Sequence, residues 1–374
     1  MSLPPPTVSL STGRHSQDGV ALLTILLLVV SITVVAGAML ASQKIAIRQS
    51  GLLFQQDQLL QDVQAGSQFA TAVISADSKL NDTDSAQDIW AQPIPPYPLG
   101  NNIITVEIYD EASRFNLNNL YHDDAVDVNA LAAFKRLLKQ LGLEESVATA
   151  VLDWQDPDSS VYEDSAEESA IYQSTLASGT GAVNLPNQPF FSVEQLASVD
   201  GITAEGLASL RPYVSAVPYY LPINVNTALP EVLAAIVESS TPEQMQALVR
   251  GRESQTFADI ESLWQVAPFN GLPEESRGAV EGLLAVDSQA FTALITAAEL
   301  QADAGQAPKQ RFATVMISKR VADDNSGGNA ANTPQSGGSN GAEAKKDRVV
   351  QAFSQRLWPY RPTAYTPMNK PLKN

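Results

Sequence analysis

Apolar positions follow different patterns in successive parts of this chain. The first is an unbroken run, Val20 to Leu40, inside a longer stretch from Gly19 to Gln43 that carries no charged residue. About 25 residues rising 1.5 Å each reach roughly 37 Å, more than the ~30 Å hydrocarbon core of a bilayer, so one helix is long enough to span a membrane. The run is too long for the core of a secretory signal peptide, although Ala36-Gly37-Ala38 offers a small-x-small match to a cleavage site. From Ser42 to about Ile74, Ile45, Leu52, Leu59, Val63 and Phe69 recur at mostly helical spacings among Gln and Asp. That pattern predicts that the membrane helix continues as an amphipathic one. Gly51 and Gly66 are each expected to weaken it by about 1 kcal/mol relative to alanine.

Beyond residue 80 the helical period stops. Pro93, Pro95, Pro96 and Pro98 exclude helix and favour an extended path. Ile103 to Tyr109 then reads as a strand, and the alternation ends in an asparagine-rich turn, RFNLNNL, whose side chains are expected to satisfy the backbone locally. From about Val128 to Leu300 the spacing predicts helices: Ala130–Leu141, Val147–Trp154, Val193–Ser198, Ala204–Val214, Leu229–Glu238, Pro242–Arg250, Phe257–Gln265 and Phe291–Leu300. Asn224, Asn226 and Thr227 read as turn and N-cap residues before a helix opened by Pro230 and Glu231. Strand character returns at Arg311–Arg320 and Arg348–Leu357, the arms of a hairpin whose tip, 322–346, is too rich in Gly, Ser and Asn to form a core and is expected to be flexible. These elements define an α+β protein in which a large helical domain, 128–300, interrupts a small antiparallel sheet. Its remaining parts are a polar segment 1–19, a span 20–40, a helix with first strands 41–127, and a C-terminal hairpin 301–374.

Charge and composition narrow the chemistry. The net charge of −18 disfavours nucleic acid and anionic lipid as partners, and the absence of cysteine leaves disulfides and thiolate metal sites out of consideration. With only His15 and His122, a histidine metal cluster is impossible within one chain. No phosphate-binding loop or dinucleotide fingerprint is present. The abundant carboxylates sit in an open loop instead of an apolar pocket, so no catalysis is expected. The densest chemistry is DWQDPDSSVYEDSAEESAIY, Asp153 to Tyr172, inside a stretch from Gln140 to Leu210 with a dozen carboxylates and no Lys or Arg. Crowded carboxylates without a base favour a hard oxygen-ligand cation, Ca²⁺ over the stricter Mg²⁺, or else a solvated acidic loop. Pro157 and the missing glycine exclude an EF-hand.

The leader MSLPPPTVSLSTGRHSQDG is polar and aperiodic, and its Gly19-Val20 junction resembles the leaders of type IV pilins and pseudopilins. The resemblance implies cleavage after Gly19 by a prepilin peptidase, methylation of Val20, a head in the periplasm and a single span in the inner membrane. Thr24 stands where those families carry a glutamate, an absence that resembles the minor pseudopilin family called general secretion pathway protein K. The segments WAQPIPPYP and RFNLNNL also resemble that family. It implies a tip position in the type II secretion pseudopilus, minor pseudopilins I and J and other pseudopilins as partners, and initiation of pseudopilus assembly. It also implies calcium bound by Asp153, Asp156, Asp158, Glu167 and Glu168 as a structural ion. Two segments, Val199–Val214 and Ile223–Val237, resemble helix-hairpin-helix units. They point to the competing reading, a membrane-anchored protein binding DNA or exported substrate, but Arg211 and Arg250 are nearly the only bases around them.

Overall fold

A computed structural model describes residues 17–164, 166–167, 185–238, 240–301, 307–321 and 348–362. The expected flexible tip 322–346 and the leader up to residue 16 lie outside the described residues. Helix α1 is Gln17–Leu80. The chain divides into two compact units, Met1–Gln58 and Leu59–Asn374.

In the first unit every side chain from Val20 to Asp57 is exposed, and α1 is the one helix among the described residues long and apolar enough to cross a membrane. The hydroxyls along it are satisfied internally: Ser31 Oγ donates to Leu27 O at 2.7 Å and Thr33 Oγ1 to Val30 O at 2.8 Å. A helix that meets its own polar demands and presents apolar side chains on all sides suits a hydrocarbon environment.

The second unit begins where α1 becomes amphipathic. Leu59, Val63, Ala70 and Ile74 are buried in one cluster with Ile104, Val106, Phe291, Ala293, Ile295 and Ala297 of a five-stranded antiparallel sheet. Its first two strands in the chain are β1, Tyr97–Leu99, at one edge, and β2, Asn102–Asp110, beside it. After β2 the chain leaves the sheet, and the described residues of 111–289, within the same compact unit, form a body of short helices and strand pairs before the sheet resumes.

In that body, short strands β3 (Phe115–Asn116) and β6 (Val214–Ser215) pair in parallel, as do β7 (Ile223–Asn224) and β8 (Leu284–Ala285). Strands β4 (Tyr121–His122) and β5 (Ala125–Val126) make a tight hairpin whose tip residues, Asp123 and Asp124, take φ of 51° and 58° as its twist requires. Helix α2, Val128–Gln140, starts on the Asp127 side chain, which accepts from the N–H groups of Asn129 and Ala130. It stops at Gly142, φ 71°, with Leu143 N–H reaching back to Leu138 O at 2.9 Å. There follow α3 (Ser146–Asp153), a 3₁₀ turn at Val193–Ser198, α4 (Ala204–Leu210), α5 (Pro230–Ile236), α6 (Pro242–Arg252) and α7 (Ile260–Leu263). Helix α8, Glu274–Glu281, was not anticipated from the sequence. The body's core includes Phe115 stacked on Phe134, centroids 5.2 Å apart, and Trp154 on Phe190 at 5.4 Å.

Strands β9 (Ala290–Glu299), β10 (Gln310–Val321) and β11 (Arg348–Trp358) complete the sheet in the order β1-β2-β9-β10-β11. This corrects the expected helix Phe291–Leu300, and with it the boundary of the helical domain, which ends before Ala290. Strand β9 is central and buried on both faces: Phe291, Ala293, Ile295 and Ala297 face α1, while Thr292 and Leu294 are buried on the other side. A doubly buried strand has no polar alternation, and its Ala and Leu content mimics a helix.

Gly66 serves close packing. A Cβ there would lie 2.6 Å from Ile295 Cγ2 and 3.4 Å from Ile104 Cγ2, so α1 approaches the sheet only because that side chain is absent. The asparagine turn also differs from expectation, because its side chains bond distant backbone. Asn116 bridges Val217 and Tyr219, Asn118 bridges Phe190 and Val217, and Asn119 bonds both N–H and C=O of Leu221. These amides carry donor and acceptor together, matching buried irregular backbone that lacks a ladder partner.

Candidate functional site

The position-five residue lies in α1. Thr24 Oγ1 donates to Val20 O at 3.0 Å and Ala21 O at 2.9 Å, so its hydroxyl is used within its own helix. Gly19 and Val20, the expected processing junction, are both helical here.

The acidic segment begins at the end of α3. Asp153 is fully buried, and its Oδ1 accepts from Tyr162 N–H at 3.1 Å. Asp156 is also buried, and its Oδ1 has no hydrogen-bond partner. Burial first, then the neighbouring Asp153 and Asp158, push the Asp156 carboxyl up to about 7. Asp158 is exposed, with Oδ1 accepting from Ser160 N–H at 2.7 Å. The loop doubles back so that Ser160 bridges Glu167, Val161 N–H bonds Ala166 O at 3.0 Å, and Glu163 takes a φ of 62°. Asn187 Nδ2 donates to Asp158 O at 3.0 Å. Asp153 and Asp158 lie near enough to act on the Asp156 carboxyl and the loop returns Glu167 beside Ser160, but among the described residues these oxygens are not gathered within 4.8 Å of one another, and Glu168 lies outside the described residues. A buried, orphaned carboxylate oxygen among like charges, in a stretch without Lys or Arg, is the environment a calcium ion relieves. The donor chemistry of the segment fits such an ion.

A second polar group sits where body and sheet join. Asp110, at the end of β2, is fully buried; its Oδ1 accepts from Ala112 N–H at 2.8 Å and its Oδ2 from Ser288 Oγ at 2.6 Å and from Thr227 Oγ1. Asn224 Nδ2 donates to Ser288 Oγ at 2.7 Å and to Asp84 O at 2.9 Å. Asp84 Oδ2 accepts from Ser288 N–H at 2.7 Å and pairs with the Lys319 ammonium of β10. Asn224 and Thr227 are therefore part of this joint and do not cap α5; its N-cap is Leu229, which makes no side-chain cap bond, with Pro230 and Glu231 opening the helix as expected. No sequence pattern signals the joint, because its members are single residues scattered from 84 to 319.

In the segments that resemble helix-hairpin-helix units, Gly201 has a φ of 77°. Arg250 is exposed, whereas two other guanidinium groups are engaged: Arg211 is forked onto Glu194 at 3.1 and 2.8 Å, and half-buried Arg252 donates to Val225 O at 2.6 Å. These two guanidinium groups are bonded to the protein itself.

Two family models described as type II secretion system (T2SS), protein K match residues 113–219 and 223–287. Both matches fall inside the 111–289 body. Type II secretion system protein K of Pseudomonas aeruginosa is 32% identical over 253 residues, 64% of this chain and 74% of the relative. The protein K of Aeromonas hydrophila is 30% identical, covering 59% of this chain and 70% of that one. A chain in the crystal structure of the GspK-GspI-GspJ complex from the type 2 secretion system of enterotoxigenic Escherichia coli shares the fold. Its TM-score is 0.62 at 17% identity, over 83% of this chain and 100% of that one. A long N-terminal apolar helix with an antiparallel sheet marks the pseudopilin class. Within it, this chain belongs to the protein K family of the type II secretion system, and its role there is that of a minor pseudopilin.

Proposed function

We infer that this chain is the tip subunit of the type II secretion pseudopilus, and that it initiates pseudopilus assembly together with minor pseudopilins I and J. The observation that carries the reading is Thr24, whose hydroxyl is returned to Val20 O and Ala21 O. A glutamate there needs a partner in lipid, which a subunit above would supply through its N-terminal amine; a subunit with nothing above it has no use for that carboxylate. The body inserted between β2 and β9 supports the same place, since a tip tolerates bulk that packed neighbours in a shaft would not. The complex named for the similar fold, GspK-GspI-GspJ, supports I and J as the partners. Prepilin peptidase would cut between Gly19 and Val20, leaving Val20 as the methylated first residue, the span in the inner membrane and the head in the periplasm.

Calcium would be held by Asp153, Asp156, Asp158 and Glu167, with Glu168 of the following segment. Its contribution would be neutralising charge in a loop that has no disulfide. Asp153 orients that loop through Tyr162 N–H, and Asp158 fixes its turn through Ser160 N–H. This reading assigns the chain assembly work and no catalysis, and gives nucleic acid no part. The test is the intact mass and N-terminal residue of the membrane form, made with and without prepilin peptidase. A chain starting at methylated Val20 only with the peptidase, and co-purifying with I and J, is the expected result. A retained Met1, or cleavage near Ala38, overturns the processing and the tip reading with it.

A further inference from the structure

A different group of carboxylates gathers at the end of α1, away from the acidic 153–168 segment in sequence. Asp77 lies in α1, and Asp84 and Asp88 in the loop before the 3₁₀ turn Ile89–Ala91. One oxygen from each lies within 4.8 Å of the others. Asp77 and Asp84 are each 1% exposed, and Asp88 is half-buried.

Their polar contacts are incomplete. Asn81 Nδ2 donates to Asp77 Oδ1 at 3.2 Å and Asp88 Oδ1 at 3.1 Å, and Asp88 Oδ2 accepts from Ser85 N–H at 2.6 Å. Asp84 Oδ2 takes Ser288 N–H and the Lys319 ammonium. Asp84 Oδ1, shut off from solvent, has no partner at all. Leaving a buried charged acceptor unpaired costs more than leaving a neutral one so. Lys319 supplies one positive charge against three negative ones, so the group falls two charges short of neutrality. Burial, and then repulsion from Asp88 and Asp84, raises Asp77 to about 6, and burial likewise raises Asp88.

We propose that Asp77, Asp84 and Asp88 form a second divalent-cation site, at the point where α1 meets β10. The donors are all oxygen and irregularly disposed, which suits Ca²⁺ better than Mg²⁺. Asn81 completes the set, since its amide can turn to offer oxygen in place of nitrogen. The ion would neutralise the two surplus charges and give Asp84 Oδ1 its missing partner. Because Asp84 also binds Ser288 N–H and, through its carbonyl, Asn224 Nδ2, the ion would stiffen the joint between helical body and sheet.

The test uses the full-length chain in detergent, stripped with a chelator, equilibrated with calcium chloride and assayed for bound calcium per chain. Asp88→Asn, at the half-exposed position, is expected to remove about one calcium, whether or not Asp156→Asn is also present. A chain that binds no calcium, or folded protein that binds the same amount with and without Asp88→Asn, overturns the proposal. A second measurement leaves the site untouched: in the Asp156→Asn chain, calcium is expected to slow amide exchange across residues 81–92 by tenfold or more. Exchange there that ignores calcium overturns it as well. Loss of calcium from the 153–168 segment alone would change neither result, so the two sites are tested separately.

Discussion

Asp110 is an acid enclosed by the fold. Burial is the largest influence on it; the hydrogen bonds from Ser288 and Thr227 pull the other way, and the net effect lifts its carboxyl from 3.8 to about 7. Between about pH 4 and 7 the folded chain therefore holds a proton that the unfolded chain has released. Stability from this group is fully present below that window and declines as pH rises through it, by about 1.4 kcal/mol per unit. Asp110→Asn keeps an acceptor for Ala112 N–H and turns an amide towards the two hydroxyls, which can accept. The variant is expected to match the parent near pH 4, to exceed it at pH 8, and to have a flatter profile between. Denaturant titrations across pH in chelator would reveal this, and parallel profiles would refute it. Asp156 carries a second expectation. Calcium at a hundredfold excess over its dissociation constant stabilises the chain by about 2.7 kcal/mol per site. Asp156→Asn should remove the part of the calcium-induced rise in melting temperature that belongs to its site.

At the level of elements, α1 and the sheet are held together at Gly66. Alanine would favour the helix by about 1 kcal/mol, yet its methyl would press on Ile295, a stiff β-branched side chain in a central strand. Gly66→Ala is expected to destabilise the protein by about 1–3 kcal/mol, a sign opposite to helix propensity, measurable by urea unfolding. Asn118→Ala would strand the N–H and C=O of Phe190, while Val217 O keeps its bonds from Asn116 and Tyr219, at a cost of about 2–4 kcal/mol by the same measurement. Both cases show where pattern reading reaches its limit. The amphipathic stripe of α1, strand β2 and most helices of the body were legible because each has one buried and one wetted side, or a clear cap. Strand β9 was not, since burial on both faces erased its alternation. The asparagines were legible as a polar turn, but their partners lie 72 to 103 residues away and no local pattern encodes them. The acidic loop announced itself by density, whereas Asp77, Asp84 and Asp88 are spread over a helix end and a loop and resemble ordinary surface residues until folding buries them.

For the whole molecule, the decisive question is how many copies a pseudopilus contains. Subunits that add above and below one another occur in proportion to filament length. A subunit whose position-five hydroxyl is spent on Val20 O and Ala21 O, and whose sheet is interrupted by the 111–289 body, is expected once per filament at most. The prediction can be read from pseudopili sorted by length, with this chain and the main shaft subunit counted by mass spectrometry against labelled peptides. The ratio of this chain to the shaft subunit should fall in inverse proportion to length. Thr24→Glu should leave that dependence in place, because the added carboxylate offers a partner for an amine but does not remove the bulk of the body. A ratio that stays constant as filaments lengthen would make this chain a repeating shaft component, and the carboxylate argument would then fail along with the tip assignment. A ratio that becomes constant only in the Thr24→Glu chain would locate the block at residue 24 alone and leave the helical body for another task, such as contact with exported protein.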